Sequence, residues 1–245
     1  GGSNLHTCLG IRNKNAGLGD FVWRRGKDIS DLLVETGVER LWFVPGDGLL
    51  PGTANLEWFA KKRLLRGLQT LPADFAILDL GAGSSYNVVD FFLAAVDGIL
   101  VVRPEITSIL NAYSFLKTAA FRVLSRSSPD KSPCREAVMG YATAKTEGSG
   151  QSFMDFARDL AARFEEGAAA LEKLGALRPR AVMNMGRDGN DAAFGYRLRD
   201  IALKNLGVPI EFSGYLLEDP AVPASVASRP SRSRTDLWAD SSGTS

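Results

Sequence analysis

The 245-residue chain has very little of the side chains that carry most metal and redox chemistry: one histidine, His6, and two cysteines, Cys8 and Cys134. A single histidine excludes a multi-histidine metal site. Two cysteines without CxxC spacing exclude a disulfide framework, read as ordinary residues and suit a reducing cytosol. There is no Asn-x-Ser/Thr sequon, and no apolar run approaches the roughly 18 to 20 residues that a membrane-spanning helix needs. Neither charge sign is in excess: Lys and Arg total 29, Asp and Glu total 28, and the formal net charge is +1. That balance argues against an electrostatic nucleic-acid binder, whose affinity comes from a cationic surplus. An initiator methionine and a signal-peptide pattern are also missing. The opening Gly1-Gly2-Ser3 therefore reads as a cut, a tag remnant or a boundary.

What is present is the composition of a globular protein, 45% hydrophobic and 23% charged, with enough chain for one domain and a full core. Short apolar runs alternate with longer amphipathic stretches. Leu41-Trp42-Phe43-Val44 is a buried-strand candidate closed by the turn Pro45-Gly46-Asp47-Gly48. Further strands are expected over 75–80, 98–102, 181–185 and 210–216. Helices are expected over 54–71, 88–96, from Ile106 past Ala120, over 152–174 and over 191–205, the last with Gly207 as its C-cap. Asp90 is the only charge in the second of these helices. Residues 125–151, rich in Gly, Ser, Pro and Lys, read as a surface excursion, and 224–245 as a flexible Ser/Arg-rich tail after a domain over 1–223. Strands alternating with helices predict an α/β fold, a mostly parallel sheet covered on both faces, with ligands at the carboxyl ends of its strands.

The first chemical signal is Ile77-Leu78-Asp79-Leu80-Gly81-Ala82-Gly83. An apolar strand delivers a carboxylate at its end, and a glycine turn follows. In a P-loop NTPase that acid holds magnesium, directly or through water, and the turn brings backbone N–H groups to the γ-phosphate. In a Rossmann-type methyltransferase the same string cradles the methyl donor. It is also simply a strand-end Asp in a tight turn, and the motif alone does not choose. Context weighs against the methyltransferase: Ser84-Ser85 stand where a further glycine is usual, the next strand runs out through Val102-Arg103-Pro104-Glu105 with Arg103 first after its apolar run, and at least one strand precedes a motif that normally sits on the first. Trp42 and Trp58 read as core, and Lys61 to Arg66 as a solvated helix face. Glu105, Thr107 and Ser108 read as caps of the following helix.

The order of motifs carries more than any one of them. Residues 74–83, then Asn87-Val88-Val89-Asp90-Phe91-Phe92, then Val101-Val102-Arg103-Pro104-Glu105-Ile106-Thr107-Ser108, then Asn111-Ala112-Tyr113 and Lys117 resemble the MinD/ParA family, with FlhG-like and MinD-like proteins as the nearest pattern. Gly2-Ser3-Asn4-Leu5-His6, Val44-Pro45-Gly46 and Tyr215-Leu216-Leu217-Glu218-Asp219-Pro220 fit the same pattern, so the resemblance runs from Gly1 to about Pro230. It implies a three-layer P-loop NTPase fold, ATP and Mg2+ as ligands, and an ATP-dependent homodimer that hydrolysis resets. Asp79 then matches the acid near the magnesium and Gly81, Ala82 and Gly83 match switch II. Asn184 matches the residue that reads adenine, and Leu217, Glu218 and Asp219 match the loop against the base. A flagellar or division-site protein is the implied partner, with a cytoplasmic location and peripheral attachment at the inner membrane left open. The family's Lys-Gly-Gly-x-Gly-Lys-Ser/Thr loop does not occur in the sequence; Gly26-Lys27 is followed by Asp28 and has Phe21 where the first loop glycine belongs. The expectation is a family domain without its phosphate loop and first strand, inactive as it stands, with unpaired strand edges. The alternative is a non-enzymatic scaffold that serves as a binding module.

Overall fold

The computed structural model describes residues 5–11, 17–23, 28–46, 58–95, 97–146 and 150–227. They form two compact units, one from residues 1–81 and 219–245 and the other from 82–218.

The first unit holds two short helices, α1 (Leu5–Cys8) and α2 (Leu18–Trp23), and a 3-10 turn over Ile29–Leu32. The two-residue strands β1 (Val34–Glu35) and β2 (Trp42–Phe43) follow, and then α3 (Trp58–Leu68). Asp28 caps the 3-10 turn reciprocally with Asp31. β1 and β2 pair antiparallel, so the strand expected at 41–44 is shorter and belongs to a hairpin. Only Phe43 of it is buried, and Trp42 is half exposed rather than core. The helix expected over 54–71 is α3; Ala60 and Leu64 face the core as its spacing predicts, and Leu56 lies outside the described residues. Phe21, Val22, Ile29 and Leu32 complete a small core, with α2 laid against both α3 and the 3-10 turn. The unit also contains α10 (Ala221–Ala227), so the expected tail begins with a helical turn; residues 228–245 lie outside the described residues.

The strand expected over 75–80 does not form. Phe75 and Ile77 are 88% and 93% exposed, and no ladder includes them. An apolar run becomes a strand only when a neighbouring backbone takes its N–H and C=O groups, and among the described residues none does.

The second unit is an α/β arrangement around a three-stranded parallel sheet of order β3-β4-β5, formed by Ile99–Val102, Arg180–Gly186 and Glu211–Leu217. Its helices are α4 (Tyr86–Ala94), α5 (Ile106–Ser127), α6 (Pro133–Thr146), α7 (Phe153–Arg163), α8 (Glu165–Ala176) and α9 (Ala192–Leu206). Leu100, Val102, Ala181 and Met183 share one buried face. Ile99 and Val101 point the other way and are exposed, so among the described residues β3 is covered on one face, where cover on both was expected. α9 reaches the sheet at Gly195, where a Cβ would collide with the Phe212 ring. Gly207 is the C-cap of α9, with φ 67°, as its position after the apolar stripe predicts.

Two expectations between β3 and β4 need correction. The surface excursion over 125–151 contains the end of α5 and the whole of α6, whose Cys134, Val138 and Tyr141 are buried at helical spacing. A polar average hid that stripe, and Tyr141 stacks on Phe156 of α7 at 4.1 Å between ring centroids. The helix expected over 152–174 is two helices. Phe164 takes an extended backbone, φ −137° and ψ 136°, closing α7 and opening α8.

The burial pattern sets the expected response to substitution. Leu198→Ala removes a fully buried side chain of α9 and should cost about 2–5 kcal/mol in urea unfolding. Ile77→Thr should change stability by no more than about 0.5 kcal/mol, because that side chain already lies in water.

Candidate functional site

The carboxyl ends of β3, β4 and β5 supply the polar cluster that parallel sheets use for ligands. After β3 the chain turns at Arg103, whose backbone N–H donates to Ser108 Oγ at 2.9 Å, so Ser108 ties the strand end to the first turn of α5. Arg103 Nη2 lies 3.2 Å from Glu105 Oε1. Glu105 is the N-cap residue of α5, but its side chain makes no cap hydrogen bond and is left to pair with Arg103. Of the three residues expected to cap, Ser108 and Glu105 hold the turn together in this way.

After β4 the chain makes a second, tighter structure. Arg187 grips the buried Asp191 through its backbone N–H (2.8 Å), Nε (3.2 Å) and Nη2 (2.9 Å). These hydrogen bonds hold the Asp191 carboxyl below the usual carboxylate range, and Asp191 in turn raises the pKa of Arg187, with smaller contributions from Asp188 and Glu105. Asp188 accepts from Asn190 N–H at 2.8 Å and starts the 3-10 turn that leads into α9. The spacing of Arg187 and Asp191 at i, i+4 is the sequence signal for this pair.

Asn184 sits where β4 and β5 lose register. Between Met183 and Gly186 β4 carries one residue more than its partner, and Met185 takes a left-handed φ of 60°. Asn184 Oδ1 accepts from the Met185 N–H at 3.0 Å, so its carbonyl half serves the bulge. Its Nδ2 has no partner among the described residues. Leu217 pairs with Gly186 across the ladder, and the Glu218 N–H donates to Gly186 O at 2.9 Å. Asn184, Leu217 and Glu218 thus lie at one edge of the second unit, with the Leu217 and Glu218 side chains exposed.

Ala82 and Gly83 belong to the same unit and lead into α4 through Ser84 and Ser85. Gly83 has φ 99°, which favours glycine, and Ser85 Oγ caps α4 by accepting from Val88 N–H. Ser85 is accounted for by that cap. Asp79, Gly81 and Asp219 belong to the first unit. Asp79 and Gly81 are exposed in irregular backbone rather than at a strand end, and a Cβ on Gly81 would meet nothing within 4 Å. Asp219 Oδ1 accepts from Ala221 N–H at 2.8 Å and starts α10. Among the described residues no three His, Cys, Asp or Glu side chains converge on a common point as metal ligands.

Sequence reasoning noted Asp90 but not its partners. Asp90 is 4% exposed and forms a two-pronged pair with Arg122 of α5 at 2.8 and 3.0 Å, with Arg126 at 3.5 Å. The Arg122 guanidinium also lies over the Tyr86 ring at 4.7 Å. Two arginines four apart on an otherwise apolar stretch of α5 were the available signal.

No protein-family model matches the sequence, and no curated protein matches it at a significant level.

Asp90→Ala leaves Arg122 half-buried without its acceptor and should cost about 2–4 kcal/mol in urea unfolding. The Arg187–Asp191 pair sets a pH dependence of known sign. The folded pKa of Asp191 lies below the ordinary 3.8, so its stabilisation is complete above that value and is lost as pH falls through the folded one. Between about pH 5 and about pH 2 the chain should lose more stability than Asp191→Asn, measured by the urea midpoint.

Proposed function

We propose that the chain carries the switch II and adenine-side parts of a MinD/ParA-like ATPase domain with a P-loop NTPase fold, in which ATP-dependent dimerisation positions a partner and hydrolysis resets the dimer. The observation that carries this reading is the order of motifs along an α/β chain. The Asp79-to-Gly83 turn precedes α4, Asn184 follows at the carboxyl end of β4, and Leu217-Glu218 stands at the end of β5, joined to β4 through Gly186. In this reading Asp79 holds Mg2+, Gly81, Ala82 and Gly83 sense the γ-phosphate, Asn184 offers its Nδ2 to the base, and Leu217, Glu218 and Asp219 border it. The partner is a flagellar or division-site protein, and the domain works in the cytoplasm or against the inner membrane.

The phosphates are the weak point. Helix-terminal N–H groups of the Lys-Gly-Gly-x-Gly-Lys loop supply much of their binding, and the sequence has no such string. The chain by itself is therefore not a competent ATPase. The same absence, together with the Asn184 carbonyl being committed to Met185, favours the second reading: a non-enzymatic scaffold that binds a partner.

Two measurements test these readings. Titration of Mg-ATP into this chain should give no tight, magnesium-dependent binding; submicromolar binding would contradict the role given to the missing loop. The reading frame upstream of Gly1 separates ATPase from scaffold. A Lys-Gly-Gly-x-Gly-Lys string roughly 25 to 35 residues before Gly1 is expected, where a βα unit would place it. A stop codon and a start near Gly1 would instead favour the scaffold.

A further inference from the structure

Among the described residues β3 lies at the end of the sheet order β3-β4-β5 and has a strand on one side only. Gly98 O accepts from Arg180 N–H at 2.8 Å, and successive residues of a strand turn their N–H and C=O groups to opposite edges. Leu100 and Val102 therefore carry the ladder to β4, and the backbone groups of Ile99 and Val101 point to the free edge. The side chains of Ile99 and Val101 are also 56% and 67% exposed. The opposite edge, β5, is irregular: register shifts break its pairing with β4, and Gly214 takes φ 129°. β3 reads Ile-Leu-Val-Val in unbroken register, with no charge, proline or bulge, the devices by which natural edges turn away a second strand.

The flanking charges say which strand fits. Alternation puts Asp97, Ile99, Val101 and Arg103 on one face of the strand. Asp97 Oδ1 lies 3.6 Å from Nε of Arg180, the residue opposite Ile99, which agrees with that face. Laid antiparallel on a second copy of itself, with Leu100 opposite Leu100, the strand sets Ile99 against Val101 and Asp97 against Arg103. Ile99 and Val101 of each copy then exchange both N–H···O bonds, as a hydrogen-bonded antiparallel pair does. The backbone of Arg103 is already used: its N–H donates to Ser108 Oγ at 2.9 Å and its C=O accepts from Glu105 N–H at 2.8 Å, so the new ladder stops at Val101. A slide of two residues either way puts an apolar side chain against a charged one. Asp97 and Arg103 also pair within their own chain, with Arg180 and with Glu105, but their side chains stay 54% and 52% exposed and can extend those pairs across the edge.

We propose that the chain forms a two-fold dimer through the free edge of β3, in which the two three-stranded sheets join antiparallel. The same patch serves both copies, so the assembly closes at two. It needs no nucleotide and uses none of residues 79–83, Asn184 or 217–219, so it stands apart from either reading of function. An interface this small gives weak association, with a dissociation constant on the order of micromolar to millimolar.

Sedimentation of the full chain without nucleotide, over a wide range of concentration, tests this. A monomer–dimer equilibrium is expected. Amide exchange at Ile99 and Val101 should slow as the dimer fills and stay unchanged at Leu100 and Val102, whose N–H groups the β4 ladder holds. Val101→Pro removes an N–H that the β4 ladder does not use, so it should keep the native circular dichroism and lose the dimer. Asp97→Arg and Arg103→Asp each place like charges opposite one another in a homodimer, and each alone should dimerise at least about tenfold more weakly. Mixed in equal amounts, the two variants regain both opposite-charge contacts and should form a heterodimer within about threefold of the native affinity. The proposal is overturned if the native chain stays monomeric throughout or grows into larger assemblies. It is also overturned if either charge variant alone dimerises as the native chain does, if their mixture stays monomeric, or if folded Val101→Pro dimerises unchanged.

Discussion

The apolar stripe of α5 is the contact on which the second unit depends. Ile109, Ala112, Leu116, Ala120, Val123 and Leu124 recur at helical spacing and are all buried. Through them the helix packs on α4, α6, α8, α9 and β3. Alanine at 112, 119 and 120 keeps the helix surface low, so that neighbours approach its backbone closely and fill the space without voids. α5 also begins at Ile106, shortly after β3 ends at Val102, so the element that organises the core fixes the position of that strand end.

The same helix brings the one buried acid of α4 to its counter-charges. Asp90 would be costly in an apolar setting by itself; Arg122 and Arg126, on successive turns of α5, compensate it and set the rotation of α4 against α5. An ion pair with defined partners is more selective about that rotation than apolar packing, which tolerates sliding.

At the sheet edge, irregular backbone and polar side chains occur together. The extra residue in β4 ends regular pairing at Asn184, and Arg187 with Asp191 stitches the following turn so that α9 starts in a defined direction. Arg103 and Glu105 do the same after β3. The strand ends are thus held by charge-assisted bonds, while Leu217 and Glu218 remain in contact with solvent.

The sequence by itself determined the elements whose signal is local. The stripe of α5, the apolar strands β3 to β5 and the glycine cap of α9 all follow from side-chain periodicity and from hydrogen bonds within one turn. Candidate residues Asn184, Leu217 and Glu218 could be placed at strand ends on the same grounds. Tertiary structure decided what depends on a distant partner. Residues 75–80 have the composition of a strand and form none, because pairing is a property of two backbones. The stripe of α6 lies inside a segment whose average is polar, and its burial rests on Phe153 and Phe156 of the next helix. Trp42 lies in water because its hairpin buries only the alternate position, Phe43. The partners of Asp90 lie some thirty residues away, and sequence could supply the charges but not the geometry that joins them.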